Sequence, residues 1–518
     1  MRLTAALHRN RQIKAGAVST VFAGRRRTWG ETADRVARLA AGLVSLGLGR
    51  GDRVAPIALN SDRYLELYFA VWWAGGVIVP GNTRWALPEH VYALNDSGAC
   101  ILLVDEHFAA LAAPIREACG IATVVYMGEG AAPDGMVGFE ALIEASAPMA
   151  DAGGANDELC ALFYTGGTTG RSKGVMLSHA SLMGSSLCTS ATAPNRHDAI
   201  FLHSAPMFHL ADAAMIITMT MIGGAHVIVP GFTPAGVAEA IGREGITDLV
   251  LVPAMFAMLR EHALAHGVTF EAVRQVTYGA SPISESLLGA TMEIFPNADF
   301  RQAYGQTELS PVATLLLGEF HRPQASGKSY LRSAGRAIVG VEVRIVDEAM
   351  NEAPLGEVGE VAVRSPGAML GYWKQPDLTA QTLVDGWVRT GDAGTMDEEG
   401  FVWLVDRVKD MIVSGGENVY SAEVENALCA FPGVVECAVI GVPDERWGER
   451  VHAIVRCRDG AEVTSEALVA HCHTLLAGYK CPRSVDFRAE PLPLSGAGKI
   501  LKTELREPYW PRDGRRIN

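Results

Sequence analysis

A short segment rich in glycine, threonine and serine is the part of this sequence best suited to bind a polyphosphate. It spans Tyr164–Gly174 and contains four glycines, three threonines and Lys173. Glycine lets backbone N–H groups approach an anion, and successive inward N–H groups form a concave anion site. Lys173 adds a mobile positive charge. Because the apolar run Leu159–Tyr164 predicts a buried strand, we expect a ligand loop at the end of a strand.

The same segment differs from the P-loop of nucleoside triphosphatases. A P-loop has glycine directly before its lysine and serine or threonine directly after it. Here Ser172 precedes Lys173, and Gly174 follows it. Taken alone, the segment is equally well explained as a surface loop of small residues. Its function therefore depends on the motifs that follow it along the chain.

A second cluster of polar residues, Tyr304–Glu308, follows the strand pattern Asp299–Gln302. A tyrosine ring stacks on a base, a threonine hydroxyl binds a phosphate, and a carboxylate oxygen is a ligand that Mg²⁺ accepts. Taken singly, a residue such as Tyr304 is more often part of the core, and one such as Glu308 is usually a carboxylate at a helix start. A turn upstream is predicted to line the same cleft, and it contains Gly279, Ala280 and Ser281.

Three charged residues and one histidine complete the candidate site. Asp392 follows a predicted turn, where its carboxylate can accept hydrogen bonds from the hydroxyls of a ribose. Arg407 can donate hydrogen bonds to the same sugar. Lys499 follows a glycine in a run that predicts a flexible loop. Each has a simpler explanation, namely a turn residue for Asp392, a surface lysine for Lys499 and a satisfied core histidine for His209.

Composition limits the classes of protein. The chain has 518 residues, of which 49% are hydrophobic and 20% charged, so it can bury a large core. Its net charge of −14 argues against a nucleic-acid partner. Glycines and His226 interrupt its most apolar stretch, at 213–229, which predicts no integral membrane segment. Nine scattered cysteines are typical of a reducing, cytoplasmic location, and we expect no metal at His471–His473.

The pattern of apolar residues changes along the chain. Residues 25–320 alternate helical and strand patterns, which indicates parallel sheets covered by helices. Residues 335–405 contain short β-rich segments with turns, typical of a small barrel or an antiparallel sheet. A boundary is predicted at 406–409. Beyond it lies a smaller α+β unit, in which Ser421 is predicted to cap a helix.

Taken together and in this order, the motifs resemble those of the adenylate-forming enzymes, which comprise acyl-CoA synthetases, luciferases and the adenylation domains of peptide synthetases. The resemblance covers about residues 25–508 and is strongest to fatty-acyl- and aryl-acid CoA ligases. It implies an α/β fold, with a large N-terminal domain of two α/β sheet layers plus a small β-barrel and a smaller, mobile α+β C-terminal domain. The implied boundaries are 1–405, a hinge at 406–409, and 410–518.

The resemblance also implies a role for each motif residue. Lys499, Thr307 and Glu308 are catalytic, and Lys409 is the hinge residue. Mg²⁺ is held near Thr165 and Glu308. The substrate pocket and thiol tunnel are lined by His209, Gly279, Ala303, Gly415 and Gly416. ATP contacts are implied for Thr165, Gly166, Gly167, Thr168, Thr169, Gly170, Lys173, Gly279, Ala280, Ser281, Tyr304, Gly305, Thr307, Asp392, Arg407 and Lys499.

Three residues differ from the family pattern. Gly167 stands where the family loop usually has a hydroxyl residue, so one phosphate contact would come from the backbone. Ser172 stands in place of a proline. Ala303 stands where related ligases often have glycine, directly before the base-stacking tyrosine. Acetate-type enzymes close this region with a bulky aromatic residue, so Ala303 predicts a medium-to-long fatty acid or an arylalkanoic or cinnamic-type acid.

The reaction implied by the resemblance has two halves. The small carboxylic acid substrate attacks the α-phosphate of ATP to give an acyl-adenylate and pyrophosphate, and coenzyme A then displaces AMP. Two alternatives stay open at this point: transfer of the acyl group to a free-standing carrier protein, and a non-catalytic nucleotide sensor. A homodimer is expected only by analogy with the family.

Overall fold

The computed structural model describes residues 1–165, 172–281, 283, 285–407, 410–414, 417–444, 447–458, 460–494 and 500–510, with the backbone alone at 406, 407, 413, 417, 418 and 448. The chain divides into two compact units. The first holds Met1–Val343 and Val363–Val388, and the second holds Arg344–Ala362 and Arg389–Asn518. The domain boundary expected at 406–409 stays a prediction, since residues 408 and 409 lie outside the described ranges.

The described residues form fifteen α-helices and four short 3₁₀ helices. The α-helices are α1 (Ala5–Lys14), α2 (Trp29–Ser45), α3 (Asp62–Trp73), α4 (Leu87–Ser97), α5 (Ala112–Cys119), α6 (Phe139–Ala145), α7 (His179–Thr192), α8 (Leu210–Ile222), α9 (Pro234–Glu244), α10 (Pro253–His266), α11 (Glu285–Met292), α12 (Pro376–Thr382), α13 (Ser421–Cys429), α14 (Ser465–Leu475) and α15 (Lys502–Arg506). The 3₁₀ helices are Ala109–Leu111, Thr307–Leu309, Gly318–His321 and Glu507–Tyr509.

Twenty-seven strands are formed by the same described residues. They are β1 (Val18–Phe22), β2 (Arg25–Thr28), β3 (Arg53–Ile57), β4 (Val77–Ile78), β5 (Ala99–Val104), β6 (Thr123–Tyr126), β7 (Val137–Gly138), β8 (Leu159–Thr165), β9 (Lys173–Ser178), β10 (Ile200–His203), β11 (Ala225–Ile228), β12 (Asp248–Leu251), β13 (Gln275–Gly279), β14 (Asp299–Gly305), β15 (Val312–Leu316), β16 (Arg336–Ala337), β17 (Glu342–Val346), β18 (Gly359–Arg364), β19 (Gly371–Tyr372), β20 (Leu383–Val384), β21 (Trp387–Met396), β22 (Val402–Arg407), β23 (Ile412–Ser414), β24 (Glu417–Val419), β25 (Val434–Asp444), β26 (Gly448–Cys457) and β27 (Ser484–Phe487).

Two large sheets organise the first unit. One has the order β16-β15-β14-β13-β12-β10-β11-β1-β2, and the other has the order β19-β9-β8-β4-β3-β5-β6-β7. The central strands of both sheets pair in parallel, as the alternating helix and strand patterns predict. Antiparallel pairs follow toward one end of each sheet, with β15 on β14 in the first sheet and β9 on β8 in the second. The α/β fold class inferred from the sequence is confirmed.

Helix α2 shows how local sequence places a helix against this core. Thr28 caps its N-terminus, because its hydroxyl accepts a hydrogen bond from the backbone N–H of Glu31, and the Glu31 carboxylate accepts one in return. The apolar residues of α2 recur at the helical period, and Ala33, Val36, Leu39 and Leu43 are buried, whereas Leu46 at the C-cap is only partly buried. Capping and amphipathicity therefore both place this helix against the core, within the segment 25–320 for which alternating helices and strands are predicted.

The second unit contains a mixed sheet with the order β24-β23-β26-β25, and β27 pairs with β26. Helices α13 and α14 contribute buried side chains to its core, among them Val424, Leu428 and Leu468. The helix cap predicted at Ser421 is one residue off, since Tyr420 takes the N-cap position and Ser421 is the first helical residue. The Ser421 hydroxyl accepts a hydrogen bond from Lys502 Nζ instead.

A third sheet, with the order β17-β18-β21-β20, corresponds to the β-rich segment predicted at 335–405, and β22 pairs with β21. The β20–β21 and β21–β22 pairs are antiparallel, as expected. Among the described residues, we find no helix long and apolar enough to cross a lipid bilayer.

The pairing of β13 with β14 generates a prediction about Gly279. A Cβ atom at Gly279 would lie 2.1 Å from the backbone oxygen of Ala303, which β14 holds in place by pairing on both sides. We expect Gly279→Ala to lower the free energy of unfolding by about 2–4 kcal/mol, because the backbone must shift. Thermal or urea unfolding followed by tryptophan fluorescence measures this loss.

Gly242→Ala in α9 is the matched control. A Cβ atom there meets open space, and alanine favours a helix over glycine by about 0.5–1 kcal/mol, so this variant should be slightly more stable than the wild type. Equal stability of Gly279→Ala and the wild type would contradict the packing account of Gly279.

Candidate active site

The predicted phosphate loop is closed by a pair of strands. β8 and β9 run antiparallel, and Thr165 lies opposite Lys173 in their register. Both ends of the loop are therefore fixed in the eight-stranded sheet, on strands whose apolar side chains are buried. The loop residues themselves lie outside the described part of the chain, and with them the predicted contacts Gly166, Gly167, Thr168, Thr169 and Gly170.

Lys173, at one end of this loop, is linked to Glu308 by a tyrosine. Lys173 Nζ donates a hydrogen bond to the hydroxyl of Tyr372 over 2.7 Å, and that hydroxyl donates to Glu308 Oε1, also over 2.7 Å. The direct separation between Lys173 Nζ and Glu308 Oε1 is 3.6 Å. The ammonium group also lies 4.0 Å from the centroid of the Tyr372 ring. One cation, one hydroxyl and one carboxylate thus form a connected group.

Three separate segments of the chain bring this group together. Tyr372 lies on β19, which pairs with β9 so that Tyr372 faces Val175 across the ladder. Glu308 lies in the 3₁₀ turn after β14, and its backbone oxygen accepts a hydrogen bond from the N–H of Met369 over 2.9 Å. The Glu308 side chain is buried, so its charge requires the partners that Tyr372 and Lys173 provide.

The environment keeps the central tyrosine protonated. Burial, the negative charge of Glu308 and the hydrogen bond to Glu308 together raise the pKa of Tyr372 above its usual value. Its hydroxyl therefore remains a donor to the carboxylate and an acceptor from the ammonium group across the physiological pH range. The sequence analysis did not select Tyr372, because a Gly-Tyr-Trp-Lys run carries no pattern of paired catalytic residues.

Thr165 and Glu308 provide oxygen atoms of the type that a hard divalent cation requires. The Thr165 hydroxyl is buried and has no hydrogen-bond partner among the described residues. Such an orphaned oxygen, together with the carboxylate of Glu308, fits Mg²⁺, which prefers oxygen ligands. A metal ion at Glu308 has to compete with Lys173, whose ammonium group already neutralises this carboxylate.

The predicted base-binding and pocket residues follow the strands of the nine-stranded sheet. β10, β12, β13 and β14 are parallel neighbours, so their carboxyl ends lie along one edge. Gly279 is opposite Ala303 at this edge, and Ala280 and Ser281 follow β13 directly. Tyr304 and Gly305 end β14. The structure thus brings these residues to the edge at which ligands bind in open α/β sheets.

His209 ends the segment that follows β10. It is half-buried and caps helix α8, because its Nδ1 accepts a hydrogen bond from the backbone N–H of Ala211 over 3.2 Å. The side chain of Asn60 holds this segment by bonding to Ala205 and Met207. His209 therefore has a structural role as a cap at the same edge as Gly279, and its role in a substrate pocket stays a prediction.

A buried polar chain underlies this segment, and the sequence analysis missed it. His203 Nδ1 lies 2.7 Å from Asp212 Oδ2, and His203 Nε2 lies 2.9 Å from His226 Nδ1. His226 Nε2 in turn lies 3.1 Å from the Thr220 hydroxyl. Burial, with His203 beside it, lowers the pKa of His226 well below its usual value, so this imidazole stays neutral. The only signal in the sequence is that these polar residues interrupt apolar runs.

In the second unit, Asp392 and Arg407 are cross-strand partners. β21 and β22 pair antiparallel, with Asp392 directly opposite Arg407 in the register. Asp392 lies inside β21, so the expectation that it follows a turn is wrong. Gly391, the preceding strand residue, has a φ of 72°, and its N–H donates to Glu360 Oε1 over 2.9 Å. Only the backbone of Arg407 is described, so the predicted contacts with ribose stay a prediction. Lys409, Gly415, Gly416 and Lys499 lie outside the described residues.

Comparisons with known proteins agree with this architecture. Residues 7–373 match the AMP-binding enzyme family, and residues 423–499 match the AMP-binding enzyme C-terminal domain. A feruloyl-CoA synthase of Amycolatopsis sp is 39% identical over 508 residues, which cover 97% of this chain and 98% of that protein. A fatty acid–[acyl-carrier-protein] ligase, ScoC of Streptomyces coeruleorubidus, is 36% identical and covers 93% of this chain, over 91% of its own length.

A solved structure shows the same fold. The ATP-bound structure of MatB from Rhodopseudomonas palustris superposes with a TM-score of 0.88 at 31% sequence identity, covering 98% of this chain and 99% of that one. Fold and site together define an adenylate-forming enzyme. The chain belongs to the AMP-binding enzyme family, and within it to the AMP-forming acid–thiol ligases. The resemblance recognised in the motifs is thereby confirmed, and enzymes of this class use ATP and coenzyme A.

The Lys173–Tyr372–Glu308 group generates a second prediction. Tyr372→Phe keeps the ring but removes both hydrogen bonds, which leaves the buried Glu308 carboxylate without its hydroxyl donor and with Lys173 alone, 3.6 Å away. We expect the rate of ATP–pyrophosphate exchange to fall about 10- to 100-fold, mainly in kcat, as is usual when a residue that orients a site is lost. The exchange assay at varied ATP concentration separates kcat from KM.

Tyr126→Phe is the matched control, since it also removes a hydrogen bond from a buried tyrosine, here to the backbone oxygen of Glu129. Its exchange rate should match that of the wild type. Wild-type exchange in Tyr372→Phe would show that the hydroxyl does not position Lys173 and Glu308 for the reaction.

Proposed function

We propose that this enzyme activates a cinnamic-type aryl acid and transfers it to coenzyme A. The acid carboxylate attacks the α-phosphate of ATP, which forms an acyl-adenylate and releases pyrophosphate. The thiol of coenzyme A then attacks the acyl carbon, so that a thioester forms and AMP leaves. Each half conserves atoms and charge without a further reactant.

The observation that supports this substrate class is the small size of the residues at the sheet edge. Gly279 contributes no side chain and Ala303 only a methyl group, side by side in the β13–β14 register. A flat aromatic acid or an extended chain needs such an open strip, since a bulky residue here would fill the space beside the adenylate. The likeness to a feruloyl-CoA synthase over nearly the whole chain favours the aromatic acid.

We assign the adenylation half-reaction to the charged and aromatic residues of the motifs. Bringing a carboxylate to the α-phosphate joins two anions, so cations must neutralise the developing charge. Lys173 supplies a positive charge at the end of the phosphate loop, and Lys499 is assigned to the substrate carboxylate and the α-phosphate. Tyr304 is assigned to adenine, and Asp392 with Arg407 to the ribose. When bound, Mg²⁺ near Thr165 and Glu308 would further neutralise phosphate charge.

The second half-reaction is assigned to a movement of the C-terminal domain. Lys409 is the proposed hinge residue, and Gly415 with Gly416 would line a tunnel for the pantetheine thiol, because absent side chains leave room for it. A few residues suffice to absorb such a rotation in their backbone angles. By this assignment Lys499 is needed for the adenylate and not for the thioester.

A second candidate acceptor is a carrier protein, and a second candidate acid is a medium- or long-chain fatty acid. The likeness to ScoC, a fatty acid–[acyl-carrier-protein] ligase, supports both. The adenylation half is common to the two acceptors, so only the second half distinguishes them.

A panel of acids tests the proposed substrate. The pure protein is incubated with ATP, Mg²⁺ and acetate, octanoate, palmitate, cinnamate, ferulate or indoleacetate, with and without coenzyme A. We expect pyrophosphate and thioester with the cinnamic-type acids, with kcat/KM at least about 10-fold above that for acetate, since acetate leaves the apolar strip unfilled. A preference for palmitate would contradict the proposed aromatic substrate and identify a fatty acid instead. Pyrophosphate without thioester would indicate a carrier protein as the acceptor.

Lys499→Ala tests the division between the two halves. We expect adenylate formation to fall by about 10²-fold or more, because a charge that stabilises the transition state is lost. Thioester formation from a supplied acyl-adenylate should stay close to that of the wild type. Single-turnover assays measure the two halves separately. Lys328→Ala removes an exposed lysine of the first unit and serves as the control. Equal losses in both halves would contradict the assignment.

A further inference from the structure

Two cysteine side chains of the second unit lie in contact with each other. Cys429 is the last residue of α13, Cys437 lies on β25, and their Sγ atoms are 3.3 Å apart. A disulfide bond is about 2.05 Å long, so the sulfur atoms are about 1.3 Å from bonding distance. A tight turn brings them together, with hydrogen bonds from Phe431 N–H to Leu428 O and from Val434 N–H to Phe431 O.

The two thiols differ in their access to solvent. Cys429 is exposed, whereas Cys437 is 4% exposed and packs in the core of the unit. Cys429 is therefore the more accessible residue of the pair, although its thiol is itself partly buried against Cys437. Both residues are free thiols, and neither belongs to the site that holds Lys173 and Glu308.

The helix that carries Cys429 is already fixed on the strand that carries Cys437. Glu425 Oε1 accepts a hydrogen bond from the backbone N–H of Val439 over 2.8 Å, and Lys502 Nζ lies 2.7 Å from the same carboxylate oxygen. The Cys437 thiol also lies 3.5 Å from the backbone oxygen of Glu425. These contacts hold α13 against β25, so the two cysteines are kept next to each other and their sulfur atoms have only about 1.3 Å left to close.

We propose that Cys429 and Cys437 form a reversible intramolecular disulfide, which makes the end of α13 a redox modification site. The oxidant is a low-molecular-weight disulfide such as glutathione disulfide. The Cys429 thiolate attacks one of its sulfur atoms, which forms a mixed disulfide and releases one glutathione thiolate. The Cys437 sulfur then attacks Cys429 Sγ, and its proton goes to the second glutathione as that leaves. Two protein thiols are oxidised and one glutathione disulfide is reduced to two thiols.

The electrostatics of the pair agree with these roles. The hydrogen bond with Cys437 lowers the pKa of Cys429, although burial and Glu425 act in the opposite direction. The same hydrogen bond and burial raise the pKa of Cys437. The thiolate is the attacking species in disulfide exchange. The exposed cysteine is thus the first to react, and the buried one resolves the mixed disulfide.

Thiol mapping in glutathione buffers tests the proposal. The reduced protein is equilibrated at increasing fractions of glutathione disulfide, quenched with acid, alkylated and digested for mass spectrometry. We expect a Cys429–Cys437 linked peptide, lighter by about 2 Da for the two hydrogens lost, at a lower oxidant fraction than modifies the other cysteines. Dithiothreitol should restore both thiols. Phenylarsine oxide, which binds pairs of close thiols, should protect both from alkylation.

Three cysteine variants test which sulfur reacts first and which one resolves the mixed disulfide. Cys429→Ser should abolish the link, and Cys437→Ser should trap glutathione on Cys429. Cys457→Ser, which removes a half-buried thiol of β26, should leave the link intact. A mixed disulfide that persists on Cys429 of the wild type would overturn the proposal. So would two free thiols at every oxidant fraction at which the protein stays folded.

Discussion

A buried carboxylate is the constraint on which this site depends. Glu308 is almost fully buried, and a lone ionised carboxylate in such a place costs several kcal/mol. Tyr372 and Lys173 remove this cost by a hydrogen bond and a nearby positive charge. For these contacts to form, β19 must pair with β9, and the turn after β14 must bring Glu308 next to Tyr372. The two large sheets of the first unit are therefore joined at Lys173, where the predicted phosphate loop ends.

The edge formed by β13 and β14 imposes a second constraint, which is steric. A Cβ atom at Gly279 would clash with the backbone oxygen of Ala303, 2.1 Å away. A Cβ atom at Gly305 would likewise clash with the backbone oxygen of Pro311, 2.0 Å away. Both glycines were assigned to nucleotide binding from the motifs alone. Packing between neighbouring strands explains their presence independently of any ligand, so a loss of activity on substitution is informative only when stability is measured as well.

Local patterns were sufficient for most of the fold. The alternation predicted for residues 25–320 is found in elements such as α2, β5 and β12, because their apolar periods and caps are determined by neighbours in sequence. The site was predicted as a set of motifs but not as an arrangement. Tyr372 lies 199 residues beyond Lys173, and no periodicity links them, so their hydrogen bond becomes visible only in the folded chain. The His203–His226 contact was missed for the same reason.

The register of β21 and β22 bears on the predicted pairing of Asp392 with Arg407. Asp392 and Arg407 were paired from chemistry, as an acceptor and a donor for one sugar. The strands place their backbones directly opposite each other in an antiparallel ladder. The hairpin brings the two positions together by itself, which is consistent with the ribose contacts that we propose for both residues. This pairing does not depend on which acid and thiol the enzyme joins.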